Sequence, residues 1–442
     1  MREQIKLAID KINELSKNKP IKVISHFDTD GITSAAIFSK SLQRWGKKFS
    51  LKIVKNLTQE IIENLPESHI LIFLDLASGS IEHLEKKKTE VFILDHHEIP
   101  KEHSENMPSN ITMIHPLLFD KENYSGAAVC YLFAKTLSEE NKDLSNLAVL
   151  GMVGDQFDKH IGKVFNEILN DAQTIIKTGL LLYPSTRPID RVLEYSTSLY
   201  IPGVTGSFKG VFELLKEAGI EKTEKGHKSL SELNKEEMSR LVTAVLLRRK
   251  EKSSNQEIIG NIYLIKLFNK LEDAREISAL VNSCSRSGNS DIALSFCLGD
   301  KNSKKEAQKT YNKHRQNISS ALKHIEETEK LTGNNYTIIN AKDKIKDTVI
   351  GTVASIMSYS PIYPEGTIII AMAYDNDKIK VSARLSGKKG RNVREILKKA
   401  TIQLSSEVGG HPNAAGCLIS KTQEDQFIKE LKNTLDIEVI KA

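Results

Sequence analysis

Short apolar runs alternate with amphipathic stretches through the first half of the chain. Lys6–Leu15 has apolar residues at helical spacing, Ile21–Ser25 (IKVIS) reads as a short strand, Ser34–Leu42 as a helix and Leu51–Val54 as a weak strand. Ile70–Leu74 (ILIFL) and Val91–Leu94 (VFIL) contain no polar residue at all, the pattern of strands covered on both faces. Strands and helices in alternation predict a parallel, doubly wound α/β sheet. Ser125 stands where it can cap a helix over Ala127–Leu137, and the apolar run Leu147–Val153 leads into Gly154-Asp155-Gln156.

From about Leu180 the texture changes. Pro184, Pro188 and Pro202 interrupt the helices there, while Glu236–Lys250 and Lys304–Glu329 read as helices, the second a long charged connector. Gly333-Asn334-Asn335 marks a boundary. Beyond it the pattern predicts a smaller mixed α/β unit. Tyr336–Asn340 is a strand, Thr352–Tyr359 a helix, and Thr367–Tyr374 and Lys378–Leu385 a hairpin across Asp375-Asn376-Asp377; a helix over Arg394–Leu404 and a strand over Ile437–Ile440 follow. The expected division is a catalytic domain over 1–182, a largely helical middle segment over 183–332 and a substrate-binding domain over 333–442.

Composition narrows the class. The 442 residues carry 63 Lys plus Arg against 57 Asp plus Glu, a net charge of +6. No apolar run nears the roughly 18 residues of a membrane span, so no membrane partner is expected. Glu3 and Asp10 break the apolar pattern at the N-terminus, which reads as a helix and not as a signal peptide. Cys130, Cys284, Cys297 and Cys417 are widely spaced, with no CxxC pair. That excludes a zinc ribbon or a thioredoxin-like motif and predicts a reducing, cytoplasmic location.

The basic excess is concentrated in one window. Lys378–Lys399 holds nine basic residues and one acid, Glu395, and reads as a track for a polyphosphate backbone. Gly409-Gly410-His411 allows close approach of backbone N–H groups to an anion.

The sharpest chemistry lies where the apolar strands end. Ile21–Ser25 runs into His26-Phe27-Asp28-Thr29-Asp30-Gly31, Ile70–Leu74 into Asp75, and Val91–Leu94 into Asp95-His96-His97; Asp155 follows a further apolar run. In a parallel sheet these ends share one edge, where ligand sites form. A single strand-end Asp is ordinarily a helix cap. So many carboxylates at one apolar edge require compensating cations, and a pair of divalent metals is the simplest source. His26, Asp28 and Asp30 at alternate positions point one way in an extended chain, and mixed imidazole and carboxylate ligands suit Mn²⁺ and tolerate Mg²⁺.

HFDTDG at His26–Gly31, the isolated Asp75, DHH at Asp95–His97 and GDQ at Gly154–Gln156 resemble, in order and spacing, the four motifs of the DHH phosphoesterase superfamily. GGHPNAAG at Gly409–Gly416 resembles the hallmark of the companion DHHA1 domain, and the whole chain is most similar to the archaeal RecJ-like exonucleases, or GINS-associated nucleases. The resemblance implies a fold of two α/β domains and a two-metal exonuclease acting on single-stranded DNA or RNA in replication or repair. It implies that His26 and Asp28 hold one ion, that Asp30, His96 and Asp155 hold the second, and that Asp75 bridges them. Asp95 would orient His96, and His97 would face the substrate phosphate. Arg384, Ser382, Gly409, Gly410 and His411 would grip a phosphate from the companion domain. Two other functions are compatible with the resemblance: a phosphodiesterase or phosphatase for short nucleotides, and a replisome scaffold that binds the GINS complex.

Overall fold

Strands β1 (Ile21–His26), β2 (Phe49–Val54), β3 (Ile70–Leu74), β4 (Val91–Leu94) and β5 (Ile111–Ile114) pair in the order β2-β1-β3-β4-β5, every neighbour parallel. The computed structural model in which they are seen describes residues 1–437 except 121, 160, 197, 198, 200, 225, 249–257, 361, 405 and 407. Both faces of this sheet are covered, which is why β3 and β4 are apolar throughout. On one face Val23, Ile72 and Phe92 pack with α1 (Arg2–Leu15), α2 (Thr29–Arg44), α3 (Gly126–Leu137) and α4 (Ser145–Gly154). On the other, Ile24, Phe73 and Ile93 pack with Ile62, Ile81 and Leu84. Each such side chain contributes roughly 1.5–3 kcal/mol on leaving water.

The chain divides into two units: Met1–Thr178 with Tyr183–Thr186 and Asn261–Tyr311, and Gly179–Leu182 with Arg187–Gly260 and Asn312–Ala442. In the first unit, α5 (Ala274–Arg286) packs against α2 and α4. In the second, helices over Ile189–Glu194, Phe208–Glu217 and Lys235–Arg248 enclose a core of their own that includes Leu193, Leu214 and Leu241. This is the helical middle segment.

The C-terminal sheet is mixed. β6 (Leu331–Gly333), β7 (Tyr336–Asn340), β8 (Ile368–Asp375), β9 (Lys378–Leu385), β10 (Val408–His411) and β11 (Ala414–Ser420) lie in the order β10-β11-β9-β8-β7-β6, with only β7 and β8 parallel. One face packs Ile369 and Ala371 against α6 (Asp347–Ser358), and the other packs Ile370 and Val381 against α7 (Val393–Thr401) and α8 (Glu424–Ile437). α8 runs through Ile437, where the pattern predicts a strand; 438–440 lie outside the described residues. Among the described residues, no helix is long and apolar enough to cross a membrane.

Candidate metal centre

Register brings the predicted residues to one edge. Ser25 lies opposite Leu74 and Leu74 opposite Leu94, so His26, Asp75 and Asp95 step off the sheet together. They do so between β1 and β3, where the strand order reverses and a crevice opens.

Alternation does not carry past His26. Asp28 is extended (φ −74°, ψ −175°) but caps α2, accepting the Gly31 N–H at 3.0 Å, and Asp30 already lies in the first helical turn. The helix begins five residues earlier than the apolar pattern suggests, at Thr29 instead of Ser34. Gly31 is required for space rather than for a turn: a Cβ there would stand 2.3 Å from the His26 carbonyl oxygen. Asp75 sits in the left-handed region (φ 57°), which Asp tolerates better than most residues. Asp155 follows the last turn of α4, a helix and not a strand.

The side chains form two groups sharing an edge. His26, Asp28 and Asp75 offer ligand atoms within 4.8 Å of one another, and so do Asp30, His96 and Asp155. His26 Nδ1 is 3.1 Å from Asp28 Oδ2 and 3.7 Å from Asp75 Oδ2; His96 Nε2 is 3.2 Å from Asp75 Oδ1 and from Asp155 Oδ2. The two oxygens of Asp75 therefore face different groups. His26 Nδ1, His96 Nε2 and both Asp75 oxygens are buried yet make no hydrogen bond, although each has a neighbour within 4 Å. Polar atoms that converge without bonding to one another fit the coordination shell of a cation.

The charges agree. Burial alone would lower both rings, but Asp28 and Asp75 push His26 up to about 10, and Asp155 and Asp75 push His96 up to about 11. Burial raises Asp75 and Asp30, reinforced by neighbouring carboxylates, whereas His26 overcomes burial to hold Asp28 down at about 2. Without metal, protons on the rings supply the cations the carboxylates need; divalent ions would take that role and displace them.

Asp95 departs from the expected arrangement. Its Oδ1 accepts the backbone N–H groups of His96 (2.8 Å) and His97 (3.3 Å) and lies 2.7 Å from His97 Nδ1, while Oδ2 accepts the Ser78 N–H at 2.9 Å. It thus orients the ring of His97, not that of His96, whose ring nitrogen is turned toward Asp75 and Asp155. Burial is overcome by His97, which holds Asp95 well below the usual carboxylate range. Asp95, Asp75, His96 and His97 also lie within reach of a common ion, but Asp95 already accepts four contacts and is poorly placed to give up a lone pair.

Three supports are not legible in the sequence. The first amides of α3, Gly126 and Ala127, donate to Asp30 Oδ2 (2.6 Å) and Oδ1 (3.0 Å), a helix N-terminus fixing a carboxylate. His115, fully buried, approaches the His97 carbonyl with Nε2 at 2.8 Å. Arg286, at the end of α5, stands near enough to Asp28 to feel its charge. Only Ser125, which reads as a cap, hints at any of these.

The predicted phosphate residues assemble in the other unit. Across the sheet, Arg384 lies opposite Ala414 and Ala414 opposite His411, while Ser382 lies opposite Gly416 and Gly416 opposite Gly409. Arg384 and His411 therefore share a face, with side-chain-free positions between Ser382 and the edge. Gly410 has φ 117°, and a Cβ there would meet the Ala414 carbonyl at 2.4 Å. The basic window is not one track, however. Lys380, Ser382 and Arg384 are on the α6 face, but α7, with Arg394, Lys398 and Lys399, packs on the opposite one through Val393, Ile396 and Leu397. Arg391 donates to the Leu435 carbonyl at 2.7 Å, in the last described turn of α8. Strand alternation divides what is contiguous in sequence.

Models of three protein families match the chain in succession: the N-terminal domain of the DHH family over residues 20–154, the DHH-CID domain over 182–262 and the DHHA1 domain over 333–436. An uncharacterized protein of Methanocaldococcus jannaschii, MJ0831, is 28% identical over 452 residues, covering 98% of each chain. Among solved structures, RecJ of Thermus thermophilus in complex with Mn²⁺ is 18% identical with a TM-score of 0.61, over 98% of this chain and 54% of that one; this chain thus spans about half of its length. The same RecJ in complex with Mg²⁺ is 17% identical with a TM-score of 0.56, over 98% and 51%. CDC45 from Entamoeba histolytica is 13% identical with a TM-score of 0.67, over 98% and 99%. At these identities the structural likenesses speak for the fold alone.

Proposed function

Because this chain belongs to the DHH family, with its DHH, DHH-CID and DHHA1 domains in order, we propose that it is a two-metal exonuclease that hydrolyses phosphodiester bonds at an end of single-stranded DNA or RNA in the cytoplasm. The observation that carries the reading is Asp75, whose two buried, unbonded oxygens face two separate ligand groups. His26 and Asp28 would hold one Mn²⁺ or Mg²⁺, Asp30, His96 and Asp155 the other, with Asp75 between them. Bound there, the ions would supply Lewis acidity and water of lowered pKa at neutral pH.

The remaining residues act by orientation and charge. Asp95 fixes the His97 ring through Nδ1, leaving Nε2 of this half-exposed side chain free to donate to a phosphoryl oxygen. The reading takes 1–182 as the catalytic domain, 183–332 as the middle segment and 333–442 as the substrate-binding domain, where Arg384, Ser382, Gly409, Gly410 and His411 hold a phosphate. Arg384 is fixed for this by Nε donating to Ser355 Oγ at 2.8 Å and Nη1 to the Ala383 carbonyl at 2.8 Å.

Arg384→Ala is expected to raise KM for an oligonucleotide and to reduce the slope of log affinity against log salt by about 1, read from fluorescence binding over a salt series. Arg384→Lys should recover the slope but not the affinity, because an ammonium lacks the planar fork. Single-stranded DNA and RNA labelled at either end, incubated with Mn²⁺, test the activity. Mononucleotides released from one end support it; cleavage only of dinucleotides or other short nucleotides would make the protein a small-molecule phosphodiesterase. No turnover with any of these substrates would leave standing the second reading, a scaffold that binds the GINS complex.

A further inference from the structure

Residues 263–332 lie outside all three matched domains, yet α5 reaches both ligand-bearing stretches. Its start is anchored by Asp273, whose Oδ1 accepts the Arg275 N–H at 2.8 Å and whose Oδ2 accepts the Ser185 N–H at 2.9 Å. From there Arg275 extends Nη2 to Asp158 Oδ2 (2.5 Å) and Nη1 to the Asn261 carbonyl (2.8 Å). The Tyr263 hydroxyl donates to the Asp158 carbonyl at 3.3 Å. Asp158 is nearly buried, with 5% of its side chain exposed, so little water reaches the oxygens that the guanidinium pairs with.

Asp158 closes a short turn that begins at Asp155. After the α4 cap, Gln156 turns left-handed (φ 61°), and the Phe157 ring meets the His96 ring edge-on at 5.5 Å between centroids. The turn carries a ligand at one end, a ring against a second ligand in its middle and an ion pair at its far end. One helical turn beyond Arg275, the Ser278 carbonyl accepts the Thr29 hydroxyl at 2.9 Å, and Thr29 lies between Asp28 and Asp30. That second tie joins a Thr29 hydroxyl to the backbone of α5 and does not involve Arg275.

We propose that Arg275 is a positioning residue for the ion held by Asp30, His96 and Asp155: by clamping Asp158 it fixes the turn that presents Asp155 and seats Phe157 against His96. The inference rests on the two-metal reading, and extends it to a residue that touches neither metal nor substrate. The tie from α5 to the stretch that carries His26 and Asp28 runs through Thr29 and Ser278, not through Arg275. Removal of Arg275 therefore separates the two ions, whereas a general loss of stability would weaken both.

The test is a Mn²⁺ titration of the metal-free, full-length protein, counting bound ions from the electron paramagnetic resonance signal of free Mn²⁺, beside thermal unfolding. Wild type is expected to take up two ions. Arg275→Met is expected to keep one at the original affinity and to bind the other about 10–100-fold more weakly, the usual consequence of losing an outer partner of a metal ligand. Arg275→Lys, too short in its fork to hold Asp158 and the Asn261 carbonyl together, should fall between. Lys135→Met is the control: it removes ion pairs to Asp171 (2.5 Å) and Glu167 (2.9 Å) in the same unit, and should lower the unfolding temperature while both ions still bind. If Arg275→Met does not fold, Asp158→Asn takes its place, with a smaller weakening of the same ion. Two ions at unchanged affinity in these variants, or equal weakening of both, overturns the proposal. So does loss of one ion in Lys135→Met. A wild type that binds fewer than two ions overturns the metal-centre reading itself, and this inference with it.

Discussion

Asp75→Asn is expected to abolish the proposed metal-dependent hydrolysis while leaving a folded protein. Losing an outer partner of a metal ligand costs about 10–100-fold, and Asp75 faces both ligand groups directly, so the fall in kcat should exceed about 100-fold. Asn is the informative substitution because it accepts the left-handed backbone at this position, where Ala would add roughly 1–2 kcal/mol of strain. Stability moves the other way. Burial, and then Asp28, raise the Asp75 carboxyl above its ordinary value, so its ionised form destabilises the metal-free fold at neutral pH. The metal-free variant should unfold at the same or a higher temperature than wild type, and added Mn²⁺ should no longer shift that temperature as it does for a chain that binds it. Turnover retained by Asp75→Asn would remove Asp75 from the centre of the site.

The second large effect is on folding. Gly31→Ala places a methyl in the first turn of α2, and helix propensity alone would favour it by about 1 kcal/mol. Sterics reverse the sign. The new Cβ would stand 2.3 Å from the His26 oxygen and 2.6 Å from the His26 Cβ, and His26 is held in register opposite Val54. Overpacking ordinarily costs about 1–3 kcal/mol, and here backbone, not a flexible side chain, would have to yield. A net loss of a few kcal/mol is a large part of the roughly 5–15 kcal/mol that holds a domain together. Urea denaturation measures it. Gly409→Ala is the comparison, since nothing lies within 4 Å of a Cβ there and its stability should not change.

The parts of this protein read most directly from its sequence are those in which local pattern and burial coincide. Ile70–Leu74 and Val91–Leu94 are strands at the positions where their apolar character puts them, and the residues that follow them reach a common edge. The start of α2 is hidden from the apolar pattern because Asp28 and Thr29 are polar yet adopt cap and helix, a choice made by the Gly31 amide and by space beneath His26. β10 is equally hidden because Val408–His411 has no alternation; only pairing with β11 makes it a strand.

By itself, the sequence determined which acidic and histidine residues gather at the sheet edge and which strand ends present them, because a run of apolar residues must be buried and a charged residue at its end must leave the sheet. Tertiary structure alone decided how those residues are apportioned: that Asp75 faces two groups, that Asp95 steadies His97, that α3 holds Asp30, and that the basic window is split between two faces of a sheet. Tertiary contacts join segments far apart in the chain, 96 residues for Asp30 and Gly126 and 249 for Thr29 and Ser278. Contacts of that kind arise from how helices and strands pack, and no spacing along the chain encodes them.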